Sequence, residues 1–119
     1  MQFNLYGPIK PYTRMTRRGK WTSPAAQAYL ESQEALRWQI AELMAVNGWQ
    51  MIEAGQPLAV DISITVPKRL NTFDLDNAVK AVIDAAQSIV FKNDLWINQI
   101  IARRQLGEEY KATLKVEAV

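Results

Sequence analysis

The sequence contains no cysteine and no histidine. Without thiols there is no disulfide framework, no thiolate zinc site and no cysteine nucleophile. Without imidazole, the commonest general base and the commonest transition-metal ligand are both missing. Any catalytic chemistry must come from carboxylates, Lys, Arg, hydroxyls or a bound hard cation. Long hydrophobic runs are missing too, and none approaches the roughly 18 residues that span a bilayer. The opening Met1-Gln2-Phe3-Asn4-Leu5-Tyr6 has neither the charged start nor the apolar centre of a signal peptide. The expected location is therefore the cytoplasm, with no membrane partner.

What is present fits one domain spanning residues 1–119, since 49% of the residues are hydrophobic and only 22% are charged. The net charge is +2, but it is unevenly placed. Residues 1–30 hold Lys10, Arg14, Arg17, Arg18 and Lys20 and no acid, giving +5; the other 89 residues hold nine basic and twelve acidic residues, giving −3. A basic arm over about 8–22 on a mildly acidic body is a footprint expected of a phosphate-backbone binder. A solvated basic loop produces the same charge pattern.

Periodicity organises the rest. Residues 2–6 alternate weakly as a first strand, and Gly7-Pro8 breaks it. Ser23-Pro24 reads as an N-cap followed by proline at the first helical position. Tyr29, Leu36, Ile40, Leu43 and Met44 recur at helical spacing, so a helix is predicted over 24–47, stopped at Asn47-Gly48. Residues 58–66 alternate as a strand with Leu58, Val60, Ile62, Ile64 and Val66 on one face. A second helix follows at 74–87, with Leu75, Val79, Val82, Ile83 and Ala86 as its buried stripe. Strands at 96–106, ambiguous in phase, and 110–117 are expected to form a hairpin around Gly107-Glu108-Glu109. The order β-α-β-α-β-β predicts an α+β fold, two helices on one face of a mixed four-stranded sheet.

The residues most able to carry chemistry are Asp74, Asp76 and Lys80 at the entry to the second helix, with Asp94 beyond it. Carboxylates at i and i+2 can point toward one cation, and magnesium is usually held by one or two carboxylates plus substrate phosphates. Lys80 lies one turn after Asp76, and Asp94 can return as a third carboxylate. Each residue also has an ordinary use: Asp74 as a helix cap, Asp76 in the favourable field of the helix N-terminus, and Asp94 in a turn after Asn93. The neighbouring Lys68-Arg69 and the basic arm favour a phosphate ligand. The lack of His and Cys leaves metal-activated water as one of few hydrolytic routes. Among the tryptophans, Trp21 is expected against the first helix, and Trp38, Trp49 and Trp96 in core or dimer contacts.

The run Asp74-Leu75-Asp76-Asn77 with Lys80, followed by Asp94 after an amphipathic helix, resembles the active-site motif of RusA-type Holliday junction resolvases. Gly7-Pro8, the segment Arg14-Met15-Thr16-Arg17-Arg18-Gly19-Lys20, and Ser23 with Ala26-Gln27-Ala28-Tyr29 are similar to that family's arm and first helix. The resemblance covers nearly the whole chain. It implies that Asp74, Asp76 and Asp94 bind Mg²⁺ and that Lys80 stabilises negative charge in the transition state or helps the leaving oxygen depart. Lys10, Arg14, Arg17, Arg18, Lys20, Lys68 and Arg69 would contact DNA. It further implies a homodimer that nicks a four-way junction in pairs during recombination and repair. Asn93-Asp94 departs from the two adjacent acids common in the family. Two other readings fit the residues: a non-catalytic nucleic-acid-binding module, and a related nuclease acting on other branched DNA.

Overall fold

The chain runs β1 (Gln2–Tyr6), α1 (Pro24–Asn47), β2 (Leu58–Pro67), α2 (Leu75–Ala86), a one-turn 3-10 helix (Asp94–Trp96), β3 (Ile97–Gly107) and β4 (Lys111–Ala118). The computed structural model describes residues 1–10, 24–67 and 74–119. The expected N-cap Ser23, Trp21, the arm residues Arg14, Arg17, Arg18 and Lys20, and Lys68 and Arg69 lie outside them. Among the described residues no helix is long and apolar enough to cross a membrane.

The alternation of 58–66 makes β2 an inner strand. Leu58, Val60, Ile62, Ile64 and Val66 are buried, and Asp61, Ser63 and Thr65 face the other way. The sheet order is β1-β4-β2-β3, with β2 parallel to β3 and the other pairs antiparallel. The fold is thus the expected α+β arrangement, both helices covering the face that Phe3, Leu5, Ala112, Leu114 and Val116 share with β2. Trp49 joins this core by packing edge-on against Phe3, with ring centroids 5.4 Å apart. Trp38, in contrast, is exposed on α1.

The expected hairpin of the last two strands does not form. β4 pairs with β1 and β2, so β2 lies between β3 and β4. Burial explains this order. Ala112, Leu114 and Val116 of β4 are fully buried and need neighbours on both sides, whereas β3 is exposed or half-buried along its length and sits at the edge. The link from β3 to β4 must then pass the end of β2, which ends at Pro67 opposite Gly107. A Cβ at position 107 would lie 2.6 Å from Thr65 Cγ2, so glycine permits the close approach.

α1 stops as its sequence predicts. Gly48 takes φ 66°, and the N–H groups of Trp49 and Gly48 donate to the carbonyls of Met44 and Ala45, closing a Schellman motif. α2 is buried over more than the expected stripe, because Ala78, Ala81 and Ala85 are enclosed as well. Tyr29, Gln33 and Arg37 of α1, each four residues apart, form a polar seam along α2. The Tyr29 hydroxyl donates to Asp84 Oδ2 at 3.2 Å, and Gln33 Nε2 donates to the Ala81 carbonyl at 2.8 Å. Arg37 Nη1 donates to the carbonyls of Ala85 and Gln87 at 3.2 and 2.7 Å. The last turn of α2 has no basic residue of its own, so Arg37 supplies the cation that a helix C-terminus favours.

Two substitutions test these packing claims. Gly107→Ala should lower stability by about 1–3 kcal/mol through overpacking, and the loss should largely vanish in a Thr65→Ser background, measured as a double-mutant cycle in urea. Arg37→Ala should cost about 1–3 kcal/mol by leaving helix-end carbonyls unpaired, with partial recovery in Arg37→Lys.

Candidate active site

Asp74 occupies the N-cap position of α2 in extended conformation (φ −76°, ψ 126°), yet its side chain makes no capping bond. Its carboxylate instead accepts from Asn77 Nδ2 at 3.4 Å. Asp76 lies in the first turn and Lys80 one turn later, both exposed. The capping use open to Asp74 in the sequence is therefore not taken by its carboxylate, although its carbonyl accepts the first intrahelical bond, from Ala78 at 3.1 Å.

Asp94 is reached by a tightly held return from α2. Val90 and Phe91 are buried, the Ser88 N–H donates to the Phe91 carbonyl at 2.7 Å, and the Ile52 N–H donates to the Val90 carbonyl at 2.8 Å. Three residues beyond that anchor, Asn93 caps the 3-10 turn by accepting from the Leu95 N–H at 3.0 Å. The turn is thus secured by Asn93, and the Asp94 carboxylate remains exposed.

Between α2 and the edge strand runs an open groove of about 600 Å³. Leu75, Val79 and Ile83 form one wall, Ile100 and Ala102 the other, and Asp76, Lys80 and Asp94 also line it. The fold therefore brings three of the four expected catalytic residues onto one surface; Asp74 is not part of that lining. The carboxylates of Asp76 and Asp94 carry no protein hydrogen bond or ion pair among the described residues, so their oxygens are available to a ligand. No three acidic side chains among the described residues are gathered closely enough to hold a cation. The donor set suits a hard cation held by one or two carboxylates and completed by water and phosphate, which is how magnesium is ordinarily bound. Asp84 belongs to the helix seam, accepting from Tyr29 and Gln87.

The aliphatic wall was not among the expected functional residues. Its one sequence signal is the ambiguous phase of β3, where Ile100 and Ile101 are adjacent and face opposite sides. Of the expected DNA contacts, Lys10 is described and exposed. Its N–H donates to Ser32 Oγ at 3.2 Å, and that hydroxyl donates to the Pro8 carbonyl at 3.1 Å, so α1 fixes the base of the arm. Arg14, Arg17, Arg18, Lys20, Lys68 and Arg69 lie outside the described residues. The helix-free sheet face carries the pair Arg103–Asp61 at 2.8 Å, which holds the Asp61 carboxyl below its ordinary pKa through the Arg103 hydrogen bond. Of the aromatics Phe3, Tyr6 and Tyr110 on or beside the sheet, Phe3 is buried in the core, Tyr110 is half-buried against it and Tyr6 alone is exposed.

No curated protein matches this chain significantly. The family model described as endodeoxyribonuclease RusA matches residues 7–117. That span takes in the arm, both helices, the groove with Asp76, Lys80 and Asp94, and strands β2, β3 and all but the last residue of β4, while β1 lies before it. The chain belongs to the RusA endodeoxyribonuclease family.

Proposed function

We propose that the protein is a Mg²⁺-dependent, structure-specific endonuclease that resolves four-way DNA junctions by paired nicks, in recombination and repair. The observation that carries this reading is the shared groove: Asp76, Lys80 and Asp94 line one surface of a chain whose family is that of an endodeoxyribonuclease. Asp76 and Asp94, joined by Asp74 at the helix entry, would hold the ion. When bound, Mg²⁺ supplies an activated water and offsets charge on the scissile phosphate. Lys80 places its ammonium along the same groove, where it can neutralise phosphate oxygens as negative charge builds.

Lys10 and the arm residues Arg14, Arg17, Arg18 and Lys20, with Lys68 and Arg69, would bind the phosphate backbone. Such contacts position the DNA without reading its sequence. A four-way junction has symmetric strands, so paired nicks require two active sites, which a two-fold homodimer supplies. The setting is the cytoplasm, alongside the DNA itself.

The test is a nicking assay on a synthetic four-way junction and a linear duplex of the same sequence, with Mg²⁺ and with EDTA. Paired, metal-dependent nicks should appear in the junction alone. Asp76→Asn should reduce cutting by at least ~100-fold while leaving junction binding and melting temperature unchanged. Lys80→Ala should lower the cleavage rate on the order of 100-fold. Tight binding without cleavage under any condition would favour the binding-module reading. Equal indifference to both substrates would remove the proposal.

A further inference from the structure

The two edges of the sheet are treated differently. On the β1 side, the Gln39 side-chain amide accepts from the Tyr6 N–H at 2.9 Å and donates to the Tyr6 carbonyl at 2.9 Å. An α1 side chain thereby takes the place of a further strand at the end of β1. Beyond β3 no further strand lies among the described residues. β3 is 11 residues long and exposes Ile100 (50%), Ile101 (45%) and Leu106 (49%). A long apolar edge of this kind is a ready template for another strand, and proteins usually guard such edges with charge. Here one guarding charge is drawn inward. Arg103 Nη1 donates to Asp61 Oδ1 at 2.8 Å and to Ser63 Oγ at 2.7 Å, so its guanidinium turns toward β2 and away from the open side.

The groove beside this edge has aliphatic walls. A nucleobase subsite would be expected to offer an aromatic ring for stacking and polar groups for the base edge, and among the described residues these walls contain no aromatic. They suit aliphatic side chains from protein.

We infer that the outer edge of β3 pairs antiparallel with β3 of a second copy, about a two-fold axis at Ile101. The side chains of the strand suit this register. It sets Ile101 against Ile101 on the helix-free face and Ile100 against Ala102 on the helix face, the two residues that line the groove. Asn98 then lies opposite Arg104, and Gln99 opposite Arg103, so no like charges meet. Centring the pair on Ala102 would set Ile100 against Arg104, and centring it on Arg103 would oppose two arginines, which is unfavourable for cross-strand neighbours. Two four-stranded sheets would become one continuous sheet. The open sides of the two grooves would close on each other, with Asp76, Lys80 and Asp94 of each copy close to the shared boundary. This names the contact behind the homodimer of the proposed function and rests on that reading.

The chain has no cysteine, so a single introduced thiol is a clean probe. Residues directly opposite in an antiparallel pair have Cα atoms about 4.5–5.5 Å apart, within disulfide reach. The experiment combines sedimentation equilibrium of the unaltered protein with oxidation of Ile101→Cys and of Val46→Cys, an exposed control position on α1. The unaltered protein should be dimeric, and Ile101→Cys should give a covalent dimer far faster than Val46→Cys. Ile100→Asp should weaken association on the order of 100-fold, with the far-UV spectrum retained. A dimeric protein in which Ile101→Cys cross-links no faster than Val46→Cys overturns the β3 contact and leaves the dimer reading standing. A monomeric unaltered protein overturns both.

Discussion

The polar seam between the two helices is the constraint on which the site depends. Asp76 and Lys80 are exposed and line the groove. Their positions are set by α2, which is held on its opposite face. Tyr29, Gln33 and Arg37 reach from one face of α1 to Asp84, to the Ala81 carbonyl and to the carbonyls at the helix end. Three small residues, Ala78, Ala81 and Ala85, are buried on α2. Their size lets the α1 side chains reach backbone oxygen. Functional groups supported on a rigid element in this way are placed more precisely than groups on loops.

The same design appears at Asp94. Its carboxylate is exposed, but Val90 and Phe91 anchor the returning chain in the core and Asn93 closes the turn. Carboxylate oxygens are thus left exposed while their backbones are fixed by burial and capping. Lys10, tied to α1 through Ser32, extends the logic to the start of the basic arm. Core, seam and caps do the positioning, and the Asp76 and Asp94 carboxylates are left exposed.

Much of this was legible in the sequence because the relevant signals are local. The alternation from Leu58 to Val66, the stop at Asn47-Gly48 and the amphipathic stretch after Asp74 each depend on neighbours within one element. Strand order is not local. The pattern at 110–117 gives the buried face of β4 but not its partners, and the short link at Gly107 read as a hairpin because a crossing past β2 leaves no mark except the glycine itself. The groove was hidden for a related reason. Ile100 and Ile101 point to opposite faces of an edge strand, and only the position of α2 decides which of them borders the carboxylates. Asp76, Lys80 and Asp94 were legible as chemistry; their common surface required the fold.

The central claim is that Asp76 and Asp94 act on one cation within that groove. Titration of the isotopically labelled protein with Mn²⁺, followed by amide NMR, tests it without reference to cleavage. The amides of Asp76, Asn77, Asp94 and Leu95 should broaden first and together, Mg²⁺ should reverse the effect by competition, and Asp76→Asn should abolish the broadening at Asp94 as well. Broadening that persists at Asp94 in that variant, or that centres on residues outside the groove, would contradict a shared site.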